Sequence, residues 1–121
     1  MIDAGDEVDR LDVTAIGPEI ERSPLFPNRT NVSFIHRDGT TVRARIFERG
    51  VGETLSSGTG ASGAAVAAFL RGMPSPITVE LDGGELEVAV SEQLDVRLSG
   101  TASPVFSGEL SSQLLEALAG G

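Results

Sequence analysis

The chain has 121 residues, the length of one domain, with 40% hydrophobic and 22% charged residues; this is a globular composition, neither disordered nor membrane-like. It has no Cys, one His and no Lys, all 9 basic residues being Arg. Disulfides, thiolate zinc sites, multi-histidine metal sites, a Schiff base to pyridoxal phosphate and the phosphate-loop lysine are therefore excluded.

A formal net charge of -9 and an aromatic content of 4%, all Phe, argue against a nucleic-acid partner. The apolar stretch around Ala64–Leu70 is too short to span a bilayer. No charged-then-apolar leader opens the chain, so a soluble, cytoplasmic protein is expected.

Met1–Arg10 is acidic and reads as a surface approach, and Leu11–Ile20 as a modest helix or extended segment ending near Gly17-Pro18. Ser23–Asn28, with two prolines, is a loop. Thr30–His36 alternates through Val32 and Phe34 as a half-buried strand. Arg37-Asp38-Gly39-Thr40 is a tight turn, and Thr41–Glu48 returns with Val42, Ala44 and Ile46 on one face and Arg43 and Arg45 on the other. His36 is expected to be an exposed turn residue, and the arginine pair a solvated strand face.

Arg49–Gly60 reads as a Gly-, Ser- and Thr-rich loop, and Gly60–Arg71 as a helix of small residues stopped by Gly72 and Pro74. A helix apolar on nearly all sides is normally surrounded by protein. Ile77–Leu81, Leu86–Val90 and Leu94–Leu98 read as strands. Glu109–Leu118 is a last helix whose Leu110, Leu114, Leu115 and Leu118 are expected to be core. These elements predict an α+β fold, an antiparallel sheet or partial barrel rolled around a central helix.

The chemistry left to such a chain uses hydroxyls, carboxylates, guanidinium groups and backbone dipoles. Residues 48–60 concentrate them: Glu48 beside Arg49, then a glycine-spaced loop with Ser56, Ser57 and Thr59, then the first turn of a helix. Unpaired amides at a helix start attract anions, and glycines at 58 and 60 allow close approach. Arg49 is suited to a carboxylate and Glu48 to an ammonium, together fitting an amino acid. The same residues also fit a plain Ser/Gly turn, with Ser57 or Thr59 capping the helix and Glu48 and Arg49 forming a surface ion pair.

Residues 48–63, Glu-Arg-Gly-Val-Gly-Glu-Thr-Leu-Ser-Ser-Gly-Thr-Gly-Ala-Ser-Gly, resemble the second signature of the diaminopimelate epimerase family. Gly17–Glu21, Phe26–Val32, Gly83–Leu86 and the stretches around Ser99-Gly100 and Phe106–Gly108 resemble flanking parts of the same family, in the same order. The resemblance implies one C-terminal lobe, residues 1–121, of a two-lobed, cofactor-independent isomerase that inverts an α-carbon of diaminopimelate in lysine and cell-wall precursor synthesis. Its opening strands and its N-terminal lobe are expected to be missing.

By the same resemblance, Ser57 stands at a catalytic cysteine position and Ser62 where another cysteine is common. Asn31, Glu48, Arg49, Gly58 and Thr59 stand at substrate-binding positions, and neither cofactor nor metal is implied. Since proton transfer on both faces of a carbon needs a group on each side, the isolated chain is expected to be inactive. The implied partners are a small amino acid, diaminopimelate, and the missing lobe or a second chain, with a homodimer left open. A non-catalytic amino-acid-binding or assembly module on the same lobe is the alternative, as is a related isomerase of different substrate.

Overall fold

A computed structural model describes residues 1–120. It opens with a two-residue strand, β1 (Ile2–Asp3), and a 3-10 segment, Gly5–Arg10. The expected surface approach is thus built into the sheet: β1 pairs parallel with the next strand, and Val8 is buried. Helix α1 (Val13–Glu21) follows, capped by Asp12, whose carboxylate accepts from the Ala15 amide at 3.0 Å and the Thr14 hydroxyl at 2.8 Å.

Gly17-Pro18 does not end this helix. Pro18 removes one amide, but Val13, Gly17 and Glu21 recur at four-residue spacing and form the buried face of α1. Gly17 is required for that packing. A Cβ there would lie 2.5 Å from the Phe47 ring, so helix and sheet meet backbone to side chain.

Strands β2 (Val32–Asp38) and β3 (Thr41–Glu48) form the expected hairpin, with Ile35 opposite Ala44 and Phe34 opposite Arg45. Both are covered on two faces rather than one. Ile35, Val42, Ala44 and Ile46 join one core, and Val32, Phe34 and Phe47 join a second with Val8 and Val13.

The arginine face of β3 is not solvated. Arg43 pairs with Asp9 and Asp82. Arg45 pairs with Glu53 at 2.7 Å and donates to the carbonyls of Val8 and Leu11, satisfying the end of the 3-10 segment. His36 lies in the middle of β2, within 3.4 Å of Asp6, and not in the turn.

A short strand, β4 (Gly52–Thr54), then appears inside what read as loop, pairing with the second half of β3. It leads to helix α2 (Gly58–Phe69). Strands β5 (Ile77–Leu81), β6 (Gly84–Val90) and β7 (Val96–Ser99) complete a sheet of order β1-β2-β3-β5-β6-β7, with β4 beside β3. β2 occupies one edge of β3, and β5 and β4 share the other, β5 at residues 41–43 and β4 at 46–48.

The fold is α+β, as expected, but the sheet is mixed. Four of its pairings are antiparallel, whereas β1–β2 and β3–β5 run parallel. The β3–β5 pair is parallel because α2 intervenes as a crossover between them.

Helix α2 touches β2, β3, β5, β6 and β7, so the sheet rolls around it. Gly60, Ala61, Ala64, Ala65 and Ala68 are its buried face, and a Cβ at Gly60 would collide with Ile46. The other side, including Ser62 and Val66, is only half-buried, so the enclosure expected from composition is partial.

The last helix, α3 (Ser112–Ala119), forms under a Ser111 cap, but the leucine stripe is not core. Leu110, Leu114, Leu115 and Leu118 are exposed, and α3 packs on no other element among the described residues. No helix of the described residues is long and apolar enough to cross a membrane.

Candidate functional site

The entrance to α2 is assembled from three directions. β4 aims the chain at it. Ser57, extended and buried, caps it: its Oγ accepts from the Gly60 amide at 3.1 Å, and its carbonyl accepts from Ala61 at 2.9 Å. The tip of the β5–β6 hairpin holds the preceding loop, the Gly83 amide donating to the Leu55 carbonyl at 2.6 Å. A Cβ at Gly83 would sit 2.9 Å from that oxygen, so only glycine lets the hairpin approach this closely.

Gly58 and Thr59 are the first two residues of the helix. No backbone or side-chain acceptor among the described residues takes their amides. Thr59 is exposed and Gly58 half-buried, with Leu98 of β7 alongside. These two donors lie at the positive end of the helix dipole. Ser62, one turn into the helix, donates to the Gly58 carbonyl at 2.8 Å and is committed to the helix.

The second group sits at the far end of β3. The Asn31 side-chain oxygen accepts from the Arg49 amide at 2.7 Å, and the Arg49 guanidinium donates to the Asn28 carbonyl at 2.9 Å. Glu48 accepts from the Thr54 hydroxyl at 3.2 Å, across the β3–β4 pair. Glu48 and Arg49 therefore do not pair with each other, as a plain surface reading required. Each is held by a separate neighbour, which leaves the Asn31 amide group, the remaining Arg49 nitrogens and the second Glu48 oxygen without partners among the described residues.

Ser57, Gly58 and Thr59 thus form one cluster and Asn31, Glu48 and Arg49 another. No hydrogen bond among the described residues joins the two. Their tie is β4, with Thr54 bonded to Glu48 at one end and Ser57 three residues on at the other.

A residue that sequence reasoning missed lies beneath the second cluster. Glu21, at the end of α1 and 1% exposed, pairs with Arg29 at 2.6 Å and accepts from the Gly50 amide at 3.0 Å. The signal available was a charged residue at the buried period of α1. Hydrogen bonding from Arg29 holds its carboxyl below the ordinary value of 4.5 against the opposing effect of burial, with the Gly50 amide and the charge of Arg22 adding to the lowering.

A hollow of about 640 Å³ elsewhere is lined by Asp6, Asp9, His36, Arg43 and Glu80. Its charged groups largely answer one another, and no group of three His, Cys, Asp or Glu among the described residues is placed to hold a metal ion.

The family model for diaminopimelate epimerase matches residues 3–105. Among curated relatives, a diaminopimelate epimerase of Cupriavidus taiwanensis is 44% identical over 93% of this chain and 40% of its own length. One from Desulfovibrio desulfuricans is 48% identical over 84% of this chain and 37% of its own length. The chain thus spans about 40% of the length of the relatives it matches. A solved phenazine biosynthesis protein of the PhzF family from Bacillus anthracis shares the fold. Its TM-score is 0.51 and its identity 23%, over 75% of this chain and 31% of that one.

Because the folded-state pKa of Glu21 lies below its unfolded value, the unfolded chain binds the proton first as pH falls. The stabilisation is complete above about pH 4.5 and is lost on descent through the folded pKa. Urea unfolding between pH ~7 and ~3 is expected to show Glu21→Gln less stable at neutral pH and flatter on the acid side. Parallel curves for the two proteins would contradict this.

Proposed function

Because the chain belongs to the diaminopimelate epimerase family, we propose that it is the substrate-gripping half of a cofactor-independent epimerase interconverting LL- and meso-diaminopimelate. Removing an α-proton from an amino acid throws negative charge onto the α-carboxylate. In a reaction that runs without a cofactor, that charge is met by fixed donors already in place, which cost no reorganisation when it develops.

The observation that carries the reading is the pair of unclaimed amides at Gly58 and Thr59, fixed by the Ser57 cap and the Gly83 contact. They are assigned the α-carboxylate. The free Arg49 nitrogens and the Asn31 amide group are assigned the other carboxylate, and the free oxygen of Glu48 an ammonium, matching each charge with its opposite.

Ser57 is assigned one face of the α-carbon. Its oxygen accepts from the Gly60 amide and lies 3.4 Å from the Thr59 hydroxyl, and its proton is available to a carbanion when Thr59 is the donor of that pair. A thiol titrates near 8.5 and can both take and give a proton near neutrality; an alcohol is a much weaker acid, and Ser57 is a poor base. The group for the opposite face is assigned to the portion of the relatives that this chain does not cover.

A second reading keeps the ligand and drops the chemistry: an amino-acid-binding module on the same lobe. The engagement of the Ser57 hydroxyl in helix capping favours it.

Calorimetry with diaminopimelate tests the site that both readings share. Binding is expected, and Arg49→Ala should weaken it by about 1.5–3 kcal/mol, roughly ten- to hundredfold. Affinity unchanged by that substitution would remove Arg49 from the site.

Ser57→Cys probes the field at the helix entrance. The new thiol, the only one in the chain, should alkylate with a midpoint below about 8.5. A midpoint at or above that value would argue that the entrance does not stabilise an anion.

A further inference from the structure

We propose that Glu21 is a positioning residue for the ligand-holding turn: one buried carboxylate pins, from beneath, both loops that present Asn31 and Arg49. The proposal rests on the reading above, in which those two residues grip an amino acid.

Burying a carboxylate is costly. A carboxylate that is 1% exposed must be paired and hydrogen-bonded, and here, besides Arg22 at the C-cap of its own helix 4.0 Å away, its partners belong to loops rather than to the core. Arg29, at 2.6 Å, lies two residues before Asn31, in a backbone conformation with φ 59° that non-glycine residues seldom adopt. Gly50, whose amide donates at 3.0 Å, immediately follows Arg49 and sits at φ 77°. Each loop is held by the same carboxylate one or two residues from its functional side chain.

The two loops then close on each other above Glu21. Asn31 accepts from the Arg49 amide, and Arg49 donates to Asn28. Those bonds alone would leave the pair free to move together. The buried anchor fixes them to α1, whose own seat on the sheet is set by Gly17 against Phe47. Glu21 does not need to touch a ligand to act. Losing the anchor would displace the donors from the geometry that a bidentate carboxylate contact demands.

The experiment compares the unmodified chain with Glu21→Ala, Glu21→Gln and a control, Val88→Ala, which removes buried volume from the other core. Diaminopimelate binding is measured by calorimetry, and backbone amide exchange at Arg49 and Gly50 by NMR, at a temperature where all four proteins are folded. Glu21→Ala is expected to weaken binding about tenfold or more and to speed exchange at both amides. Glu21→Gln, which keeps an acceptor for Gly50 but loses the charge facing Arg29, should fall between.

Val88→Ala should lower the melting temperature while leaving both readouts unchanged. That separates positioning from general stability. Equal affinity and equal exchange in Glu21→Ala and the unmodified chain would overturn the proposal, as would the same changes in Val88→Ala. If the unmodified chain binds no diaminopimelate, the ligand reading fails by itself. The exchange rates then decide whether Glu21 holds the turn: acceleration confined to the Glu21 variants supports it, and its absence overturns it.

Discussion

The structure depends on how closely the sheet can approach the first turn of α2. Gly60 lies against Ile46 with no room for a side chain, and the Gly83 amide reaches the loop before Ser57. Ser57 then closes the helix from its own end. With the cap satisfied and the helix seated, the amides of Gly58 and Thr59 are held in place with no acceptor among the described residues to take them. Small residues are therefore what make the donors rigid, and rigidity makes a pair of ordinary amides worth more to a developing charge than mobile water.

The second cluster achieves the same end by different means. Exposed groups at the end of β3 would wander if they relied on one another. Instead Asn31 and Arg49 are locked backbone to side chain, Glu48 is tied to Thr54, and a buried carboxylate holds the loops from below. On the proposed reading, serine rather than a thiol at position 57 still caps α2 and leaves the second cluster untouched, and its main consequence is for proton transfer. The epimerase reading and the binding-module reading therefore share a ligand and differ in what is asked of Ser57.

Much of the frame was legible in the residues. The β2–β3 hairpin followed from the alternation around Asp38-Gly39, and α2 from its run of alanines ended by Gly72. Local pattern could not show partners distant in sequence. Arg43 and Arg45 looked solvated because their partners, Asp9, Asp82, Glu53 and the carbonyls of the 3-10 segment, lie at least eight residues away along the chain. β1 and β4 are too short to show a period. The parallel β3–β5 pairing depends on where α2 crosses, and α1 runs through Gly17-Pro18 because tertiary burial outweighs one lost amide.

The leucines of α3 show the opposite failure. Their spacing correctly marked a helix, but periodicity says only that a stripe exists, not what covers it. In the candidate site, side-chain type singled out residues 48–60. It did not distinguish a Glu48–Arg49 pair from two separately held groups, because that depends on Asn31 arriving from the loop before β2 and Thr54 from β4.

NMR titration of the labelled chain with diaminopimelate, beside the corresponding diamine lacking both carboxylates, bears most directly on the entrance of α2 as a carboxylate site. Amide resonances of Gly58 and Thr59 should move with the amino acid and stay in place with the diamine. Movement of those resonances with both compounds, or with neither while signals shift elsewhere, would contradict the assignment.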